Sequence, residues 1–280
     1  MKVRFGSVVP LCLLVAGTCL FVAPAAFAQN QSSHVTPPPK YLFLTNESEK
    51  PGVEVAHAKN EAAMSQALSN ANAPFHSVAL VAITGAPRVI FFHGFDSFTA
   101  LGKEHMAMVS NKDLQSALES DNATDGSFLK DTASSIYKYR EDLSLRAPVD
   151  LPQMRIFEMT LYHVRAGHEH DFETLAKEYA KAFASMPTVH WAVFEKMYGI
   201  GSGSTFIVAT PMKSPADVDQ EVMDDAKLPS AVGATQLQSM RDLGSKTIES
   251  SESDLFGISR QMSYVPAEWK TESPDFWGKQ

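Results

Sequence analysis

The sequence predicts an α+β fold: two tandem ferredoxin-like (βαββαβ) repeats packed on each other as an intramolecular α/β barrel. Three observations carry this reading. KYLFLTNESEKPG (residues 40–52) and RIFEMTLYHVRAG (residues 155–167) share one plan, a strand of β-forming residues closed by a glycine, with Gly52 falling on Gly167. After each glycine come a helical pattern and two further strand patterns in the same order. The strand Ile156 to Val164 has one purely apolar face, Phe157, Met159 and Leu161, and one mixed face, Ile156, Glu158, Thr160, Tyr162 and Val164. Both faces are therefore expected to be covered. The apolar one suits packing on helices, and the mixed one suits the contact between the two repeats.

Residues 1–28 read as a secretory signal: Lys2 and Arg4 give the positive start, Val8 to Val22 the apolar run, and Ala26, Phe27 and Ala28 the small-x-small cleavage site. Pro10 and Pro24 interrupt and close that run, so no membrane insertion is expected after cleavage. Both cysteines, Cys12 and Cys19, fall in the signal. The mature chain would enter a secreted or periplasmic setting without disulfides or thiol chemistry. Loss of Lys2 and Arg4 also takes the net charge from −8 to −10. An acidic chain with no basic stripe argues against a nucleic-acid partner.

Residues 29–39 are polar and proline-rich and read as a flexible leader. The first repeat spans 40–145. Its strands are expected at Tyr41 to Glu47, Ser77 to Thr84, Arg88 to His93 and Asp142 to Leu145, with helices at Val55 to Leu68 and Leu101 to Glu119. A linker with two prolines, 146–152, leads to the second repeat, 153–265. There the strands are expected at Ile156 to Val164, His190 to Tyr198, Thr205 to Thr210 and Arg260 to Val265. Helices are expected from His168 to Met186 and over most of Ser214 to Ser250. Residues 266–280 form a C-terminal tail with Trp269 and Trp277.

Glu158, Tyr162, Val164 and Gly167, followed by Glu169 and Phe172, resemble the opening strand and helix of NIPSNAP-like domains in the dimeric α/β-barrel superfamily, which also holds the antibiotic-biosynthesis monooxygenases. Thr160 stands where that pattern carries an arginine, and Phe43 and Glu47 stand in the first repeat where Glu158 and Tyr162 stand in the second. The resemblance implies a barrel fold. Its members include cofactor-free oxygenases and haem-handling proteins.

Glu158 and Tyr162 share a strand face expected to look into the barrel, where a carboxyl beside a phenol could orient a ligand or move a proton. Trp191, Glu195 and His93 are the other pocket candidates; each is equally compatible with a packed strand position. His168 and His170 look like a metal pair, but they open a helix, where residues two apart diverge by about 200°, so no metal site is expected. His105, Met106 and Met108 read as helix filling rather than haem ligation. No cofactor is expected, with haem kept as an alternative.

The function read from the sequence is a secreted or periplasmic barrel that binds a small, partly apolar ligand between its two sheets. The alternatives are a cofactor-independent monooxygenase or isomerase, a haem-binding protein and a non-catalytic envelope protein. An oligomer is compatible with an internal barrel but not required by it.

Overall fold

The computed structural model describes residues 35–201 and 203–278. The expected signal, residues 29–34 of the leader and the last two residues lie outside the described residues. Eight strands close into one antiparallel barrel in the order β1-β3-β2-β8-β5-β7-β6-β4. The first half contributes β1 (Tyr41–Glu49), β2 (Ser77–Ala82), β3 (Arg88–Phe95) and β4 (Leu129–Tyr139), with helices α1 (Glu54–Asn70), α2 (Phe98–Ser110) and α3 (Lys112–Phe128). The second contributes β5 (Ile156–Val164), β6 (Ala192–Tyr198), β7 (Ser204–Met212) and β8 (Ile248–Tyr264). Its helices are α4 (Glu169–Ala182), α5 (Pro215–Asp225), α6 (Leu228–Val232) and α7 (Ala234–Thr247). The tail adds α8 (Ala267–Glu272) and α9 (Pro274–Trp277). Among the described residues no helix is long and apolar enough to cross a membrane.

The halves run in the orders β4-β1-β3-β2 and β8-β5-β7-β6, and meet where β2 pairs with β8 and β4 with β6. Closure leaves no unpaired edge. Gly52 and Gly167 both adopt φ +85°, a left-handed conformation that glycine enters without a Cβ penalty. Each backbone N–H donates to a glutamate in the first turn of the following helix, Gly52 to Glu54 and Gly167 to Glu169. The two chain reversals are therefore built by one device.

Several elements depart from the sequence reading. The first half's fourth strand is β4, not Asp142 to Leu145, which instead holds a 3-10 turn over Glu141–Leu143 and a lone bridge from Leu145 to Trp191. β8 starts at Ile248, where a helix was expected to continue to Ser250, and runs far ahead of Arg260. Both missed stretches are rich in serine and charge, so their own pattern is weak. Pairing along the whole lengths of β1 and β5 supplies what propensity does not. The helix expected at Leu101 to Glu119 is two helices. Ser97 caps α2, accepting from Ala100 N, and Asn111 caps α3, accepting from Leu114 N.

The two faces of β5 are also the reverse of expectation. Phe157 and Met159 belong to the barrel interior with Leu42, Leu44, Leu80, Ile90, Phe194 and Phe256, and Leu161 packs on that cluster. Val164 and Tyr162 pack with Phe172 of α4 on the outside. An eight-stranded interior is enclosed on every side and just wide enough to fill with side chains, so it takes the dry face. Helices cover the outer surface only in part and leave polar margins, which suit the mixed face.

The leader and tail are packed against the barrel over their described residues. Thr36 pairs with Val149, and Trp277 is wholly buried, its indole N–H donating to the carbonyl of Pro152 at 2.9 Å.

Candidate functional site

The barrel is not filled from end to end. Where β1 and β5 begin, a cavity of about 400 Å³ lies between the halves. Leu42 and Phe92 of the first half face Phe157, Phe194, Ile207 and Ala209 of the second. Phe92 and Phe157 approach to 6.2 Å between ring centroids. Phe75, His76 and Trp269 add aromatic surface, and the leader prolines Pro37, Pro38 and Pro39 complete the wall. Pro39 reaches this place because Gly94 has no side chain: a Cβ there would stand 2.6 Å from the Pro39 ring.

One carboxyl group lines this apolar wall, that of Glu104 on α2. Its Oε2 lies 3.0 Å from Nε2 of His93 on β3. Burial raises Glu104. Burial, with His76 nearby, also pulls His93 down to about 4. Burial thus disfavours the charged form of both groups, and although they face each other at 3.0 Å neither Glu104 Oε2 nor His93 Nε2 makes a hydrogen bond. His76 stacks on Tyr264 with centroids 4.8 Å apart.

At the opposite end a smaller cavity of about 240 Å³ mixes Leu161, Ile207 and Phe256 with Asn46, Ser135, Tyr137 and Arg88. Arg88 is held there by Asp254 and Glu252. A larger hollow of about 770 Å³ is a groove along α1 and the end of β8. The exposed Glu54, Val55, Lys59 and Gln66 on its wall make it a surface feature.

None of the five sequence-derived pocket residues lines the interior cavity, because all five point outward. Outside the second half a crevice of about 300 Å³ lies under α5; Glu158 sits beside Glu221 of its wall, and Tyr162 packs on Phe172 of α4. Trp191 lines the crevice, donates its indole N–H to Leu143 O at 3.0 Å and meets Phe183 edge-on. Burial, with Glu158 beside it, pushes the Glu221 carboxyl in this crevice up to about 8. Burial raises Tyr162, with Tyr179 and then Glu158 adding to the effect. Glu195 instead accepts from Arg140 at 2.8 Å, in a network with Asp142 and Glu173. His93 backs the cavity only through Glu104. Glu158 and Tyr162 share one face of β5, and that face turns to the outside of the barrel rather than to its interior.

His168 stands at the N-cap of α4 and His170 lies in its first turn, and His168 Nδ1 lies 2.8 Å from Asp171 Oδ2. A set of residues with metal-ligand chemistry nonetheless exists elsewhere: Glu47, His57, Glu61 and Asp125 converge outside β1. Burial opposes charge on His57, but hydrogen bonds to Glu47 and Glu49 outweigh it and lift the imidazole to about 9. Burial among carboxylates pushes Glu61 up to about 10 and Asp121 to about 7. The sequence signal was there in spacing. Glu47 and Glu49 are two apart on a strand, and His57 and Glu61, like Asp121 and Asp125, are four apart on helices. Glu104 carried no such signal.

No protein-family model matches the chain, and no curated protein matches it. Solved structures do. An anthrone oxidase-like protein superposes with a TM-score of 0.56 at 12% identity, over 81% of this chain and 94% of its own. A candidate monooxygenase from Fusobacterium nucleatum subsp. nucleatum superposes with a TM-score of 0.51 at 9% identity, over 80% of this chain and 94% of its own. At these identities the likeness is one of fold alone.

Proposed function

We propose that the protein is a secreted or periplasmic α/β barrel that takes a small, largely apolar and aromatic molecule into the cavity between its halves. The observation that carries this is the cavity of about 400 Å³, walled by apolar and aromatic side chains from both halves and carrying a single carboxyl group, that of Glu104. Ligand sites typically combine such a wall with a few convergent polar groups. The finer reading, two tandem ferredoxin-like repeats of NIPSNAP type, rests on the matched reversals at Gly52 and Gly167 and on the matching strand orders of the halves. The internal barrel needs no partner chain to close, and a small-molecule ligand is the partner proposed.

A second reading has its own observation. Glu104 Oε2 faces His93 Nε2 at 3.0 Å at the wall of the cavity, with no hydrogen bond formed between them, and the Glu104 carboxyl is the group placed to take a proton from a bound substrate in a cofactor-independent oxygenase or isomerase. The structures of similar fold include an anthrone oxidase-like protein and a candidate monooxygenase, chemistry of the kind such a pair could serve. Haem is the weaker alternative. Among the described residues His76 is the histidine lining the cavity, and its ring is engaged with Tyr264.

A thermal-shift screen of the mature protein against lipophilic and aromatic compounds tests the binding reading. A ligand at a hundredfold excess over Kd should raise Tm by about 5–10 °C. A screen in which no such compound moves Tm would remove it. Anthrone-like phenols, followed with and without Glu104→Gln, test the enzymatic reading: turnover that survives the substitution rules out the pair. Haem titration without a Soret band removes haem, and mass spectrometry of the exported chain checks cleavage after Ala28.

A further inference from the structure

The geometry points to a binding site for one first-row divalent cation, such as Zn²⁺ or Mn²⁺, formed by Glu47, His57, Glu61 and Asp125 on the outer side of the first half's sheet. Three elements meet there. Glu47 lies on β1, His57 and Glu61 lie one turn apart on α1, and Asp125 lies in the last turn of α3. From His57 Nε2 the distances are 3.2 Å to Glu47 Oε2, 3.7 Å to Glu61 Oε1 and 3.9 Å to Asp125 Oδ1. The four donor atoms lie within 4.8 Å of one another. Ligands at about 2.1 Å around a tetrahedral ion stand about 3.4 Å apart, so small side-chain adjustments would close the shell.

The surroundings are those of a metal-ligating histidine. His57 Nδ1 lies 2.8 Å from Glu49 Oε1, which orients the ring and turns Nε2 towards the three carboxyl groups, where an entering cation would displace the Nε2 proton. Asn60 Nδ2 donates to Asp125 Oδ1 and to Asp121 Oδ1, both at 2.8 Å, and so orients the carboxylate on α3.

An independent observation points to a missing partner. Glu61 is only 7% exposed, and its Oε1, aimed into the cluster, makes no hydrogen bond. Among the described residues no lysine or arginine is ion-paired with Glu47, Glu49, Glu61 or Asp125; their common ion-pair partner is His57. One imidazole thus serves several carboxyl groups, and a divalent cation that took the place of their shared protons would offset the charge they carry when ionised.

The second half shows that the fold does not require these groups. Counting from Gly52 and Gly167, the positions of Glu47, Glu49, His57 and Glu61 correspond to Tyr162, Val164, Phe172 and Ala176. Those four pack as one hydrophobic cluster. One imidazole with three carboxylates suits zinc, manganese or ferrous iron; Ca²⁺ prefers six to eight oxygens and Cu⁺ prefers sulfur. The ion would clamp α1 and α3 onto β1, away from the barrel cavity.

The test uses the mature protein, stripped with a chelator and titrated calorimetrically with Zn²⁺, Mn²⁺ and Ca²⁺. The expected result is one Zn²⁺ or Mn²⁺ per chain, a Tm increase of about 5–10 °C at a hundredfold excess over Kd, and no comparable response to Ca²⁺. Glu61→Gln, which keeps shape and burial, should weaken binding at least tenfold. The combined variant Glu47→Tyr, Glu49→Val, His57→Phe and Glu61→Ala, which copies the other half, should fold and bind no ion. Absence of stoichiometric binding by the folded wild type, or unchanged affinity in Glu61→Gln, would overturn the proposal and leave a purely structural charge cluster.

Discussion

Truncation of Phe157 to alanine separates the inner and outer faces of β5 energetically. Phe157 is 7% exposed inside the barrel and faces Phe92 across the cavity. Phe→Ala in a core costs about 3–5 kcal/mol. Because Phe157 already borders empty space, fewer surrounding contacts are lost, and the lower end, about 3 kcal/mol, is expected. That is a large share of the 5–15 kcal/mol by which domains are typically stable. For a domain of this size it corresponds to a Tm decrease of about 6–12 °C. Its neighbour Glu158 faces outward beside Glu221, whose carboxyl is pushed up by burial and by Glu158 itself. Glu158→Ala relieves that crowding and should change stability by less than about 1 kcal/mol. Urea denaturation of both variants provides the assay. A loss under about 1 kcal/mol in Phe157→Ala together with a loss above about 3 kcal/mol in Glu158→Ala would refute the assigned faces.

Gly94→Ala would place a Cβ 2.6 Å from Pro39, so the leader should lift from the cavity wall and become a faster target for limited proteolysis, with the barrel's melting little changed. Asp224 is buried and held down at about 2, first by its hydrogen bond from Lys227 and then by that from Thr188. A carboxyl held below its unfolded value of about 3.8 contributes stability above that pH, and the contribution fades as pH falls towards 2. Because the Lys227 ammonium is exposed and screened by solvent, Asp224→Asn should cost no more than about 1 kcal/mol at neutral pH and almost nothing near pH 2, read from denaturation curves across that range.

Much of the barrel was legible in the sequence. The strands at Ile156 to Val164 and Arg88 to His93 carry dense β-forming residues, and the structure keeps both. β4 and the first half of β8 were not legible, since stretches such as SSESD acquire their strand state from pairing with β5 rather than from their own pattern. The site residues failed for another reason. Parity along a strand shows which side chains share a face, but which face turns inward depends on what encloses it. A mixed face is as compatible with a helix layer as with a cavity. Glu104 was illegible because one carboxylate on an amphipathic helix looks like any solvated residue. The cluster around His57 is written in the four-residue spacing of His57 and Glu61 on α1 and of Asp121 and Asp125 on α3, a helix that begins only at the Asn111 cap.

Occupancy of the barrel interior by a ligand can be read directly. The most direct measurement is a calorimetric titration of the strongest thermal-shift ligand into wild type and into Ala192→Phe. Ala192 is a buried residue that lines the cavity. With its cavity filled by the new ring, the folded variant should lose at least tenfold in affinity if the ligand binds inside. Equal affinity in the two proteins would place the ligand elsewhere and contradict binding in the interior.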